Sequence, residues 1–444
     1  MTTANRWSGG QRHPLVGTCT TLAGTCLARA WACVPIAAAA VVLAPASTPL
    51  AAQDLVLVNA RVVDVIDGTV SEPATVIVED GRIARIVEGE GVDTPSGAAT
   101  VDLMGRYLAP GLMDAHVHVG SAADARRALH SGVTTMRSMG TSHYADVGMR
   151  ELQAAGHLEA PQYLAAGYHV RPPAAEAFFQ DHPELGHLYG EEVRGEDAVR
   201  AMTSAIVSRG VDFVKTNATE RAGLPDTDPR KQFYSEAELR AIVEEAGAAG
   251  IPVSAHAHGD AGARDAVEAG VRSIEHGTYM SRETLALMAE KGAFVVPTIA
   301  IVRDLTIPGG DYDNAVLNVR GRHMLPRVRE MARNAHEIGV KIVAATDTGY
   351  GPESTTTLAH ELLELVDIGM TPLEALRAAT TTAAELFGLE GQVGAITPGL
   401  EADLIVLERS PLDDIGVVQD VLMVVSDGTV VVQRGDWPDA RPVS

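Results

Sequence analysis

The sequence predicts an α/β protein: an eight-stranded (β/α)8 TIM barrel carrying a small β-sandwich formed from both termini. Three observations predict it. Short strand-like runs punctuated by Asp-Gly pairs open the chain and return near its end. Between them, eight apolar strand candidates alternate with helical stretches, the grammar of parallel βα units. No Gly-x-Gly-x-x-Gly turn opens a helix after the first of those strands, which disfavours a doubly wound dinucleotide-binding sheet. The composition is globular, with 444 residues of which 46% are hydrophobic and 21% charged. It excludes a disordered chain, a collagen-like fibre and a polytopic membrane protein. Acids outnumber bases 58 to 35, a formal charge of −23. Such a surface repels phosphates, so no nucleic-acid partner is expected.

Residues 1–52 read as a secretory signal peptide. No acidic residue precedes Asp54, while Arg6, Arg12 and Arg29 are present. The apolar run 30–44, broken by Pro35, ends at Ala44-Pro45-Ala46, a small-residue cleavage site; cleavage after Ala51 or Ala52 is a second candidate. Cys19, Cys26 and Cys33 all lie in this stretch, so its removal leaves no thiol for disulfides, metal ligation or nucleophilic attack. The expectation is a periplasmic or secreted protein with no membrane association after cleavage.

Residues 53–109 read as the first part of the sandwich, with strands at 55–58, 61–65 and 75–78 and turns at Asp67-Gly68 and Asp80-Gly81. Residues 110–397 read as the barrel. Its strands are expected at 113–117, 133–137, 163–167, 211–216, 251–256, 271–275, 293–298 and 340–346. Residues 398–444 complete the sandwich with strands at 402–407, 421–425 and 429–432, the last two joined by Asp427-Gly428. The long irregular stretches 171–194, 220–233 and 303–320 all follow strands, so they would rim the barrel mouth.

The residues with chemistry gather at predicted strand ends. His116 and His118 lie in Asp114-Ala115-His116-Val117-His118, and a spacing of two on a strand turns both imidazoles to one face, as a metal chelate requires. Alone, such a pair fits two solvent-facing polar residues equally well. Its company decides: His256 and His258 close strand five, His276 closes strand six and Asp347 follows strand eight. Each falls where a barrel strand reaches the catalytic face. Histidines with one aspartate suit zinc, with manganese or cobalt as alternatives. His256 and His258 share strand parity, so spacing does not choose between them.

These motifs resemble those of the metal-dependent amidohydrolase superfamily. The resemblance rests on Pro110-Gly111-Leu112-Met113-Asp114-Ala115-His116-Val117-His118, Gly132-Val133-Thr134-Thr135, Ser273-Ile274-Glu275-His276-Gly277, Thr346-Asp347 and Pro398-Gly399-Leu400-Glu401-Ala402-Asp403-Leu404. The chain is most similar to the imidazolonepropionase-like branch, which contains Xaa-Pro dipeptidases, related carboxypeptidases and ochratoxin-hydrolysing amidases. The resemblance implies two divalent metal ions, zinc first, bridged by a lysine that carbon dioxide has converted to a carbamate. Lys215, in Asp212-Phe213-Val214-Lys215, occupies that position. A buried lysine loses its proton readily, and the neutral amine is the form that reacts with carbon dioxide. The implied partition is His116, His118, Lys215 and Asp347 on one metal, with Lys215, His256 and His276 on the other. Asp347 is also implied as the catalytic proton carrier, His258 as a substrate contact and His169 as a pocket-lining residue. Two features depart from the branch. Ser138 follows Arg137 where Arg-Asp is usual, which alters an ion pair near the pocket floor and leaves the role of Arg137 open. Residues 216–221 replace a Gly-rich loop, so substrate contacts there do not transfer.

The implied activity is hydrolysis of the amide bond in dipeptides or N-acyl amino acids with a free carboxylate, ochratoxin A being a specific case. Arg171, Arg221 and Arg303, on the mouth loops, are candidates to pair that carboxylate; each taken singly also fits an ordinary surface arginine. A mononuclear deaminase or imidazolone-type cyclic amide hydrolase is the alternative. Such relatives lack the bridging lysine and carry a glutamate three residues after the fifth-strand histidine, where this chain has Gly259. A lactonase or phosphotriesterase would use the same metals. An inactive barrel that only binds ligands would be expected to have lost metal ligands. The expected partner is a small-molecule or dipeptide substrate, and a homo-oligomer is left open.

Overall fold

A computed structural model describes residues 54–437, apart from 90, 91, 93, 94, 191 and 436. The signal peptide expected over residues 1–52 lies outside the described residues. Among the described residues no helix is long and apolar enough to cross a membrane.

Both ends of the chain meet in one nine-stranded mixed sheet. Its main path runs Thr429–Gln433, Met423–Ser426, Leu404–Leu407, Tyr107–Pro110, Leu55–Asp64, Ala74–Glu79 and Arg82–Glu88. The seam between the ends is the antiparallel pairing of Leu404–Leu407 with Tyr107–Pro110, in register from Leu404 opposite Pro110 to Leu407 opposite Tyr107. The two short strands expected at 55–58 and 61–65 are one strand, Leu55–Asp64, kinked at Asn59, whose φ is +55°. The kink lets its two halves serve different neighbours. The first half pairs with Ala99–Asp102 and most of Ala74–Glu79, the second with Tyr107–Pro110 and Thr69–Val70, and Ala60 just past the kink still pairs with Ala74. Two of the three expected Asp-Gly turns are left-handed at both residues, Asp80 and Gly81 at φ +50° and +76°, Asp427 and Gly428 at +48° and +73°; in the turn between Asp64 and Thr69 only Gly68 is, at +74°. A Cβ on Gly428 would stand 2.6 Å from Gly81 Cα, so the two turns touch through glycine. Leu57, Val76, Ile83, Leu108, Leu404, Val406 and Val425 form the core of this sheet.

The central chain alternates parallel strands with helices, in two ladders. One holds Leu112–Val117, Val133–Ser138 and Gln162–Ala165; the other holds His169–Val170, Val214–Asn217, Val253–Ala257, Ser273–His276, Phe294–Val296 and Lys341–Ile342. Regular pairing breaks at residues 166–168, although Asp212 N–H still donates to Ala165 O at 2.8 Å. It breaks again after Ile342. There the expected strand 340–346 is cut to two residues: Ala344 N–H leaves the ladder for Ala378 O, and further on Asp347 turns left-handed at φ +56°. The chain nonetheless returns to the first strand. Asp347 N–H donates to His116 O at 2.8 Å, His118 N–H donates to Thr348 O at 2.9 Å, and Val117 bridges Thr348 in parallel.

Capping residues set the helix starts. Ser121, Ser235, Ser281 and Asn314 each accept from a first-turn N–H, and Ser235 closes a capping box with Glu238. Two stretches expected to be irregular contain helices. Residues 171–194 include Glu176–Asp181, and 303–320 include the end of Ile299–Asp304 and the start of Ala315–Ile338. Residues 220–233 are the loop expected.

The place where the terminal sheet meets the central chain holds a pH-sensitive group. Asp403 is pushed up to about 7 by burial and by the nearby carboxylate of Asp427. A carboxyl held protonated in the fold but ionised when unfolded weakens the fold as pH rises from about 4 to about 7. Asp403→Asn should therefore raise Tm more at about pH 8 than at about pH 4.5. An equal change at both pH values would show that Asp403 does not titrate in this window.

Candidate metal centre

Parallel register brings the strand ends together. Residues opposite one another include His169 and Lys215, Asn217 and His256, and Ala257 and His276. Two groups of side chains result, each with ligand atoms within 4.8 Å of one another: His116, His118 and Asp347, and His256, His258 and His276. Asp347 Oδ1 lies 3.4 Å from His116 Nε2 and 3.2 Å from His118 Nε2, while Oδ2 lies 3.9 Å from His276 Nδ1. The rings of His116 and His276, one from each group, are 5.1 Å apart. His276 and Asp347 both adopt left-handed backbone, at φ +73° and +56°. For residues with a Cβ this is strained geometry of the kind concentrated at functional sites.

Burial sets the charge states. It pushes His116 down to about 4 and His258 to about 3, and holds His256, His276 and His169 well below the usual histidine range. Neutral imidazoles are the form that ligates metal. Burial also lowers Lys215 to about 8. Lys215 Nζ is buried and has no hydrogen-bond partner. For Asp347 burial alone would raise the carboxyl, but His116 and His118 hold it below the usual range, as a carboxylate.

Residues behind the cluster orient it. Glu275 is fully buried; its Oε2 sits 2.8 Å from His116 Nδ1, and its Oε1 accepts from Arg137 Nη2 at 2.8 Å, Ser254 Oγ at 2.6 Å and Ser273 Oγ at 2.7 Å. Burial opposes ionisation of Glu275, yet Arg137, Lys215 and His116 keep it ionised. The contact fixes His116 with Nε2 facing Asp347. Arg137 thus has its partner despite Ser138, whose own Oγ is buried and unpaired. Asp114 accepts from Thr346 N–H at 3.0 Å, Thr346 Oγ1 at 2.7 Å and Tyr350 Oη at 2.9 Å, tying the first strand to the turn that presents Asp347. Thr298 Oγ1 and Thr278 Oγ1 lie 2.7 and 2.9 Å from Nδ1 of His276 and His258. Reading the sequence alone gave Glu275 and Asp114 no task, although both stood inside the motifs that marked the site.

Glu275→Gln should destabilise the metal-free protein by about 3–5 kcal/mol, because it strands the buried Arg137 charge. Denaturant titration measures this. A cost below about 1 kcal/mol would mean that Arg137 is held by its other partners, Ala115 O and Ser273 Oγ.

The clusters open into one shared cavity. His116, His118, His169, Lys215, His256, His258, His276 and Asp347 line it together with Arg221, and Ile301, Val302 and Leu305 form an apolar wall. An adjoining cleft is lined by His118, Tyr168, His169, Arg171 and Arg221. His169 Nδ1 is 3.1 Å from Asn217 Oδ1. Arg171 and Arg221 are therefore gathered at the site. Arg303 is not: it lines neither cleft, and its Nε lies 3.7 Å from the Glu364 carboxylate, which Arg329 also holds at 2.7 Å. A guanidinium committed to that neighbour is not presented to a ligand in the cavity.

Residues 107–431 match the amidohydrolase family. The ochratoxinase of Aspergillus niger is 30% identical over 351 residues, covering 70% of this chain and 72% of that protein. Among solved structures, a Xaa-Pro dipeptidase with methionine bound in its active site aligns with a TM-score of 0.74 at 26% identity, over 85% of this chain and 99% of its own. A prolidase complexed with N-methylphosphonate-L-proline aligns with a TM-score of 0.75 at 29% identity, over 86% and 100%. With strand-end histidines, an aspartate and a buried lysine converging on one cavity, and a match spanning most of its length, the chain belongs to the amidohydrolase family of metal-dependent hydrolases.

Proposed function

We propose that this chain is a binuclear-metal amidohydrolase that cleaves the amide bond of dipeptides or N-acyl amino acids bearing a free carboxylate, with ochratoxin A as one such amide. The observation that carries it is Lys215. A lysine Nζ buried without a partner, among the neutral histidines of two donor groups, is costly as an ammonium or an amine. As a carbamate, formed when the neutral amine takes up carbon dioxide and releases a proton, it gains two anionic oxygens. The donor set fits two ions: His116, His118, Lys215 and Asp347 would hold one, and Lys215, His256 and His276 the other. When bound, zinc or another divalent ion supplies Lewis-acid polarisation of the scissile carbonyl and a water acidic enough to attack at neutral pH.

The chain's own residues then manage protons and orientation. Asp347, ionised at rest, accepts the proton of the attacking water on its carboxylate and returns it to the leaving nitrogen. His258 has Nδ1 engaged by Thr278, which leaves Nε2 for the substrate. Arg171 and Arg221 receive the carboxylate, and Ile301, Val302 and Leu305 pack the acyl or side-chain group. The names of the relatives support this reading, since an ochratoxinase and prolidases are amide-cleaving enzymes. The same reading takes the parallel strands as one closed eight-stranded barrel and the terminal sheet as a β-sandwich, with divisions at 53–109, 110–397 and 398–444. It also takes the protein to be exported.

Metal analysis of protein purified without chelator, followed by a zinc-supplied panel of dipeptides, N-acyl amino acids and ochratoxin A, tests the proposal. About two metals per chain and turnover confined to amides with a free carboxylate are expected. One metal per chain with deaminase activity, or none with no turnover, would overturn it.

A further inference from the structure

The loop after the fourth barrel strand delivers Arg221, Ala222 and Gly223 to the wall of the cavity, and Arg221 alone of these also faces the adjoining cleft. The base of the loop is secured locally. Thr219 bridges Gln232, and Glu220 accepts from Lys231 Nζ at 2.6 Å and from Asp228 N–H at 2.9 Å. Its tip is fastened from elsewhere in the sequence. Arg320, in the helix Ala315–Ile338, donates from Nη1 to Ala222 O at 2.6 Å and Leu224 O at 2.5 Å. From Nη2 it donates to Thr227 O at 2.5 Å and Pro225 O at 3.3 Å. One planar guanidinium therefore gathers the carbonyls of a segment whose first residue adjoins Arg221, a fork that lysine cannot reproduce.

The segment so held presents an unsatisfied charge. Among the described residues, neither Arg221 nor Arg171 has a hydrogen bond or ion pair through its guanidinium. Arg171 is half-buried, and Arg221 is close enough to oppose its charge. Two unpaired cations held near each other at the edge of a cavity, in a chain of net charge −23, are arranged for an anion that arrives with the ligand.

We propose that Arg320 is a positioning residue for substrate recognition: it fixes the 222–227 segment so that Arg221, with Arg171, receives the substrate carboxylate. This rests on the proposed activity on amides with a free carboxylate. It adds that the selectivity for that carboxylate is set by a residue that touches neither substrate nor metal.

The test uses the zinc-loaded full-length protein with hippurate and its uncharged analogue hippuramide, followed by calorimetric binding and by kinetics. The wild type should bind hippurate at least about tenfold more tightly than hippuramide. Arg320→Ala should lose most of that preference with metal content unchanged, KM for hippurate rising about tenfold while kcat changes less than about threefold. Arg221→Ala should lose the same preference, and adding Arg320→Ala to it should cost nothing more, since the two act as one unit. Arg320→Lys, which keeps the charge without the fork, provides the same comparison if the alanine variant folds poorly. No preference in the wild type, a preference retained in Arg320→Ala and Arg320→Lys, or an equal penalty with and without Arg221 would overturn the assignment. Binding needs no turnover, so the two proposals fail separately. A wild type that prefers hippurate yet hydrolyses no amide sinks only the activity, and one that prefers and hydrolyses hippurate while Arg320→Ala and Arg320→Lys keep the preference sinks only the role of Arg320.

Discussion

Lys215→Ala should purify with most of its metal missing and with nearly all amide hydrolysis lost, and small carboxylic acids such as acetate or propionate should restore part of both. The side chain is among the largest of the fully buried ones, so its removal opens a cavity beside both donor groups. A carboxylic acid entering that space returns anionic oxygens where the carbamate would stand. An ammonium with a structural role predicts the reverse: deleting a buried, unpartnered charge would leave metal binding intact and stabilise the protein. A second readout isolates the carbon dioxide chemistry. Metal-free wild type reloaded with zinc should regain more activity with bicarbonate than in carbon dioxide-free buffer, and the alanine variant should be indifferent to bicarbonate. Full metal content with full turnover in Lys215→Ala would remove the residue from the site.

For Asp347→Asn the expected result is a protein that keeps much of its metal through His116, His118, Lys215, His256 and His276 but loses catalysis. An amide matches the carboxylate in shape, binds metal less well and cannot carry a proton. The expected fall in kcat on amides is on the order of 10²–10⁴, the usual range for general acid–base catalysis. Activated esters, whose leaving groups depart without a proton, should lose less. Equal losses on the two substrate classes, measured in metal-loaded variant, would show that Asp347 does not protonate the leaving group. Undiminished amide hydrolysis would sink the mechanism.

What the sequence by itself determined follows from short-range regularities. A strand repeats every two residues, so His116 and His118 had to share a face, and strand ends in a parallel sheet had to converge. Asp-Gly pairs had to make hairpins, and Ser and Asn before amphipathic runs had to cap helices. The tertiary structure decided what depends on partners far along the chain. Arg137, without an assigned role in the sequence because Ser138 follows it, is paired with Glu275, 138 residues away. Arg303 looked equivalent to Arg171 and Arg221 on a mouth loop, but the helix Leu358–Asp367 brings Glu364 beside it and takes it out of consideration. The expected eighth strand stops early because Ala344 N–H bonds Ala378 O instead of the ladder, and beyond it Asp347 turns left-handed, a conformation that local propensity opposes, next to the Asp114–Thr346 contacts. Arg320 carried no signal at all in its own neighbourhood. Its importance comes from carbonyls 93 to 98 residues earlier in the chain. Periodicity sets which residues face the cavity, whereas the partner of each buried charge is chosen only when distant segments pack and water no longer screens them.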